Sequence, residues 1–160
     1  MSKRTVIRQV VWRIARAISP VLQKNSISAL FPGRLPLPVG LWKSIDDNTG
    51  KAKSPIRISE SDGQLNGTVE KLFRAPGEEQ NPKCDKCSDA RKDQPIIGMT
   101  ILSGLKKNGN EYSGGEILDP ANGKLYKSNL SVVDNGKKLQ VRGYIGAPLF
   151  GRTQVWVREE

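Results

Sequence analysis

Residues 38–45 read Pro-Val-Gly-Leu-Trp-Lys-Ser-Ile, and the composition of the chain changes on either side of them. A Gly-x-Trp sequence at the start of a first strand suits a small β-barrel. The glycine lets the chain cross the barrel floor, and the indole closes that end with a large apolar surface. Residues 152–158 are predicted to close the barrel beside this strand, with an arginine stacked on the tryptophan. The residues predicted to close the barrel are Gly40, Trp42, Arg152, Trp156 and Arg158.

The net charge of +10 is concentrated at the N-terminal end of the chain. Residues 1–45 carry eight of the 26 Lys and Arg residues and no Asp or Glu, so residues 46–160 carry 18 basic and 16 acidic side chains. A nucleic-acid groove needs a basic surface that follows the phosphates, and a nearly neutral domain does not supply one. We therefore expect one domain preceded by a basic arm, with no nucleic-acid partner.

The chain contains no histidine. Histidine is the commonest general base and the commonest nitrogen ligand of zinc, so its absence lowers the expectation of both catalysis and a metal site. Carboxylates, tyrosines, lysines or the two cysteines would have to carry any chemistry, and they form no recognisable catalytic constellation. We therefore predict a protein that is not an enzyme and has neither a cofactor nor a metal.

The basic arm, residues 1–37, is predicted to be a separate amphipathic helix of about residues 4–19 followed by a flexible, proline-containing linker. Arginines interrupt every apolar run of the arm, so the sequence predicts no transmembrane span and no clear signal peptide. Two interpretations remain open. The helix either contacts a membrane surface or serves targeting, or it is a solvated extension that never packs on the barrel domain of residues 38–160.

The rest of the chain alternates short apolar-polar strands with turn signals such as Asn108-Gly109 and Asn135-Gly136. Eight strands in hairpin sequence are the number at which an up-and-down barrel closes around side chains or one small ligand. The predicted fold class is therefore an all-β, eight-stranded antiparallel up-and-down barrel. A long polar loop, 74–95, is expected after the third strand. The predicted strands are 39–46, 55–60, 64–73, 96–102, 111–118, 124–133, 139–145 and 152–158.

Several segments of the domain also occur in a known family. They include Gly40-Leu41-Trp42-Lys43, the Cys-x-x-Cys segment of residues 84–87, and Gly-Glu-Ile-Leu-Asp-Pro at residues 115–120. Over residues 39–158 the chain resembles the domain of unknown function 2147 family of bacterial exported proteins. The resemblance implies a lipocalin-like barrel and a periplasmic or secreted location, but no reaction. Before Val39 the chain departs from the family pattern, because arginines stand where an export signal would be apolar.

Cys84 and Cys87 are the sharpest local motif of the chain. Two thiols make only half of a zinc site, and no thioredoxin-like βαβ context surrounds them. In an oxidising compartment they would form a local disulfide that holds the 74–95 loop. Redox activity through the pair, helped by nearby lysines and arginines, and metal binding between molecules remain the alternatives.

Glu116 is the best polar candidate for a group inside the barrel. It is expected to share a strand face with Tyr112 and Gly114, while Arg57 or Arg142 would neutralise it from other strands. The alternative is that these side chains face solvent. The tentative ligand-binding residues are Trp42, Arg57, Tyr112, Glu116 and Arg142.

These observations predict a monomeric, non-enzymatic barrel of lipocalin type that binds one small apolar or amphipathic ligand. The alternative functions are a thiol-disulfide redox protein and an envelope interaction protein, both acting through the loop that contains Cys84 and Cys87. The redox protein would depend on thiolate chemistry, whereas the interaction protein would present the loop to a partner.

Overall fold

The computed structural model describes residues 37–159. The predicted arm helix of residues 4–19 therefore lies outside the described residues. Each strand is antiparallel to the next one in the chain, and the eight strands form a closed barrel. The predicted fold class is confirmed. The strands are β1 (Gly40–Ile45), β2 (Ala52–Ser61), β3 (Gln64–Val69), β4 (Thr100–Asn108), β5 (Glu111–Asp119), β6 (Lys124–Val133), β7 (Lys138–Tyr144) and β8 (Arg152–Arg158).

The barrel closes where β1 meets β8. Trp42 lies opposite Arg158, and Ser44 lies opposite Trp156. The end of the barrel at which β1 begins and β8 ends is called the floor. The connections at the floor are short, because β2–β3 and β4–β5 are tight hairpins and β6–β7 is joined by the 3-10 turn Asp134–Gly136. The opposite end, here the loop end, carries the longer connections, above all residues 70–99 between β3 and β4.

The face of β8 that contains Trp156 points into the barrel. Trp156 is 1 % exposed, whereas Val155 and Val157 on the other face are 39 % and 38 % exposed. Large apolar side chains line the interior, and leucine is the commonest of them. The largest fully buried side chains are Trp42, Ile56, Ile58, Leu65, Val69, Leu102, Leu105, Leu118, Leu130, Leu139, Val141 and Trp156.

The predicted position of the fourth strand, residues 96–102, was wrong. The structure places Ile96 and Ile97 in the connection, and β4 runs from Thr100 to Asn108. Gly98 has φ +86°, which breaks the extended path, and Ile96 packs against the core from outside the sheet. The third strand is also shorter than predicted, ending at Val69.

Pro55 lies inside β2 and not at its beginning as predicted. The carbonyl oxygen of Pro55 accepts a hydrogen bond from the backbone N–H of Glu70. The amide and the carbonyl group of a strand residue point to the same side of the strand. The nitrogen of Pro55 therefore faces the segment that follows β3, as its carbonyl oxygen does. A proline is tolerated there because the bond that it cannot make lies outside the β2–β3 ladder, which begins with the pair Ile56 and Val69.

Within residues 37–159, no helix is long and apolar enough to cross a bilayer.

Candidate functional site

The floor of the barrel is built around Trp42 and Arg158. Trp42 is fully buried, and its Nε1 donates to the carbonyl oxygen of Pro38 at 2.7 Å. The Arg158 guanidinium stacks 4.1 Å from the centre of the Trp42 ring. It also donates to the carbonyl oxygens of Gly136 and Leu37, each at 2.6 Å. Trp42 therefore closes the floor of the barrel. Its indole is part of the core, and its ring N–H already has a hydrogen-bond acceptor.

Arg57 lies on the outer face of β2. It pairs across the ladders with Leu41 and Thr68, and its side chain is 46 % exposed. Its guanidinium forms an ion pair with Glu70 just after β3. The structure therefore does not bring Arg57 together with the interior-facing Trp42.

Tyr112 and Glu116 lie on opposite faces of β5, so the prediction that they share one face was wrong. Tyr112 lies opposite the fully buried Leu130, whereas Glu116 lies opposite the exposed Lys127. The cause is an irregularity between Tyr112 and Gly115, where Gly114 adopts φ +80° and one extra residue reverses the alternation. Tyr112 packs on the core near the floor, and burial, with a smaller effect of Glu60, raises its pKa.

Arg142 donates hydrogen bonds to the β7–β8 connection and does not pair with Glu116. Its Nε donates to the carbonyl oxygen of Pro148 at 2.7 Å, and its Nη1 donates to Oγ1 of Thr153 at 2.8 Å. The Arg152 side chain, 66 % exposed at the loop end, forms an ion pair with Asp47. Of the residues predicted to close the barrel, Arg152 is thus the one at the opposite end from the floor.

Three serines carry the buried polar side chains of the described barrel: Ser44, Ser54 and Ser128. The hydroxyls of Ser44 and Ser54 are 2.8 Å apart, and Ser44 Oγ also lies 3.0 Å from the carbonyl oxygen of Ser54. Ser128 differs from them, because it is fully buried and its Oγ has no hydrogen-bond partner within residues 37–159. Leaving a buried hydroxyl unsatisfied costs about 1–3 kcal/mol.

The neighbours of Ser128 explain why its hydroxyl lacks a partner. Gly115 on β5 and Gly143 on β7 lie directly opposite it, and neither has a side chain that could hydrogen-bond. Sequence reasoning missed this residue. The alternation of side chains along β6 could have identified it. Ser128 lies two and four residues before Leu130 and Val132, and it therefore shares their inward face.

Cys84 and Cys87 form a disulfide, as predicted, and are 0 % and 3 % exposed. The pair packs against the β5–β6 turn, where the Lys86 ammonium donates to the carbonyl oxygen of Ala121 at 3.0 Å. Buried sulfurs are poorly placed for thiol exchange, which needs access for the attacking thiolate. Among the residues that the structure describes, no three acidic or cysteine side chains gather as a metal site would require.

Two comparisons with known proteins agree with this architecture, and a comparison with curated proteins finds no match. The solved structure of a Helicobacter pylori protein, described as belonging to the lipocalin family, superposes with a TM-score of 0.64 at 22% sequence identity. The alignment covers 79% of this chain and 84% of that one, which confirms the lipocalin-like fold. A family model described as "Uncharacterized protein conserved in bacteria (DUF2147)" matches residues 40–158. Because that match spans most of its length, the chain belongs to the DUF2147 family.

Proposed function

We propose that the barrel binds one small, uncharged amphipathic ligand without catalysis. The observation that carries this proposal is the buried Ser128 hydroxyl, which has no hydrogen-bond partner within residues 37–159. A hydroxyl both donates and accepts, so it suits a ligand carbonyl, hydroxyl or amine. The ligand is uncharged because the buried polar side chains of the described barrel are serines, and a buried charge requires a charged partner.

The ligand enters from the loop end. At the floor, the Trp42 ring and the Arg158 guanidinium close the barrel, and Arg158 is bonded to the backbone on both sides of the seam. The loop end is covered by connections, of which residues 70–99 contribute Leu72 and Ile96 to the edge of the core. Connections open at a lower free-energy cost than a paired seam, which favours this route.

The buried disulfide supports a location outside the cytosol, because such bonds persist in oxidising compartments. Its burial supports a structural role, in which the bond fixes the conformation of residues 84–87, and Lys86 within this segment donates to the carbonyl oxygen of Ala121 in the β5–β6 turn. We therefore propose that the protein works in the periplasm or after secretion.

The test compares Ser128→Ala with Ser131→Ala, a serine on the outer face of the same strand. The probe is 1-aminoanthracene, a neutral fluorescent amine. Loss of one hydrogen bond worth about 1 kcal/mol should weaken probe binding by S128A about fivefold, while S131A binds as wild type does. S128A should also be more stable than wild type by about 1 kcal/mol, because the substitution removes an unsatisfied hydroxyl.

Native mass spectrometry of wild-type protein purified from its host supplies an independent measurement. A co-purified neutral molecule that is depleted in S128A would support the proposal. If the protein is always free of ligand and wild type does not bind the probe, the proposal is wrong and the interior is only a packed core.

A further inference from the structure

The β7–β8 connection exposes the three most accessible large apolar side chains of the described residues. Ile145 is 65 %, Leu149 82 % and Phe150 78 % exposed. A scattered exposed apolar residue needs no explanation, but three within six positions of one loop form a patch. We call Ile145, Leu149 and Phe150 the apolar tip.

The backbone under the apolar tip is fixed by hydrogen bonds. Pro148–Phe150 is a 3-10 turn in which the N–H of Phe150 donates to the carbonyl oxygen of Ala147 at 3.1 Å. Arg142 donates to the carbonyl oxygen of Pro148 at 2.7 Å and to Thr153 at 2.8 Å. The backbone that carries Leu149 and Phe150 is therefore already ordered with both side chains exposed, so the loop presents them at little further cost in backbone conformational entropy.

The strands that support the apolar tip are basic. Residues 138–158 contain no Asp or Glu, and two of their four basic residues, Arg142 and Arg152, lie towards the loop end. The other two lie at the floor, where Lys138 pairs with Asp134 and Arg158 stacks on the Trp42 ring. On the adjacent strand β6, exposed Lys127 lies opposite Tyr144, next to the apolar tip. Acidic groups reach this region from other elements: Asp47 pairs with Arg152, and Glu116 lies opposite Lys127. Near the apolar tip, β6, β7 and β8 nevertheless contribute Lys127, Arg142 and Arg152 and no carboxylate.

The size of the apolar tip argues against a second copy as the occupant. One buried phenylalanine contributes about 200 Å², and the leucine and isoleucine contribute less. The sum is below the roughly 800 Å² that each partner of a stable dimer buries. A bilayer interface takes up protruding apolar side chains without a matching pocket, and its anionic headgroups attract nearby lysines and arginines.

We propose that the apolar tip inserts into the surface of an anionic lipid bilayer, with the loop-end basic residues of β6–β8 against the headgroups. The side chains enter the headgroup and acyl boundary, a depth of about 5–10 Å. The contact does not depend on an occupied barrel. The basic arm, residues 1–37, carries charges of the same sign and can add to the attraction.

The experiment uses the full chain and vesicles of phosphatidylglycerol and phosphatidylcholine. The variant Leu149→Ser/Phe150→Ser (L149S/F150S) removes the two most exposed side chains of the apolar tip. The control V155S/V157S makes two equivalent changes on the outer face of β8. We expect L149S/F150S to partition at least about tenfold more weakly than wild type, and the control to differ by less than about twofold. Equal partition of L149S/F150S and wild type would overturn the proposal, because the arm alone would then carry the binding.

The depth to which the apolar tip enters the bilayer is measured by replacing Phe150 with tryptophan. Brominated lipids quench the fluorescence of a tryptophan that lies within the bilayer. Relative to wild type, F150W should gain a quenched component, whereas V155W should gain an unquenched one. An unquenched tryptophan at position 150 would overturn the proposal. So would binding to pure phosphatidylcholine that is as strong as binding to anionic vesicles, or a stable dimer in analytical ultracentrifugation that L149S/F150S abolishes.

Discussion

Replacing Arg158 by alanine is expected to lower the free energy of unfolding by about 3–4 kcal/mol. Two short hydrogen bonds reach the carbonyl oxygens of Gly136 and Leu37 at 2.6 Å, and a longer one reaches Val39 at 3.2 Å. A hydrogen bond to a charged group contributes about 1.5–3 kcal/mol, and the partial exposure of the guanidinium favours the lower figure. The two short bonds give about 3 kcal/mol, to which the stack on Trp42 adds up to about 1 kcal/mol.

Urea unfolding followed by tryptophan fluorescence measures this loss. Arg152→Ala is the matched control, because Arg152 lies on the same strand and forms an exposed ion pair with Asp47. Such pairs contribute about 0–1 kcal/mol. Arg158→Lys should lower the free energy of unfolding nearly as much as R158A does, since an ammonium group cannot reach the same set of carbonyls while stacking on the indole. A loss below about 1 kcal/mol for R158A, or one equal to that of R152A, would refute this account of the floor.

Two further predictions concern the connection between β3 and β4 and the β5–β6 turn that contacts it. Gly123→Ala should destabilise the protein by about 2 kcal/mol or more, because a Cβ there would lie 1.8 Å from the carbonyl oxygen of Lys86. Gly63→Ala has the same kind of positive φ but open space around it and should cost about 1 kcal/mol; equal losses in thermal unfolding would contradict the packing argument. Hydrogen bonds from Arg91 lower the pKa of Asp89 to about 2, so NMR titration should find this carboxylate ionised at pH 3. Its contribution to stability is complete above the ordinary pKa of the carboxyl and is lost as the pH falls through about 2; R91Q should return the pKa towards 3.8, and an unchanged value would contradict this cause.

The strand order could be predicted because turn chemistry and alternation act locally. β6 and β8 have the predicted bounds, Lys124–Val133 and Arg152–Arg158. The lumen-facing side could not be predicted from β8 alone. Its inner face holds Gln154 and two arginines besides Trp156, while its outer face holds two valines, so a hydrophobicity count favours the wrong side. The burial of Trp156 and its pairing with Ser44 and Leu139 show which face is inside.

The candidate site was less predictable, because it depends on contacts across strands. Tyr112 and Glu116 lie an even number of positions apart in the sequence, which normally places two side chains on one face. The irregularity at Gly114 reverses this, and the sequence Gly114-Gly115 does not show which glycine departs from the strand. Ser128 carries the proposed function because its two cross-strand neighbours are glycines, and that juxtaposition depends on the register.

The seam at the floor also determines when the molecule can finish folding. The bonds from Arg158 to Val39 and Leu37 join residues that are 119 and 121 positions apart, and β1 finds its second neighbour only in the last strand. Contacts of such long range form slowly, because the intervening chain must be ordered first. A nascent chain that lacks Arg152–Arg158 has open edges on β1 and β7, which are templates for pairing with other chains. Synthesis of the final strand therefore ends the period in which the chain is most exposed to aggregation and most dependent on chaperones.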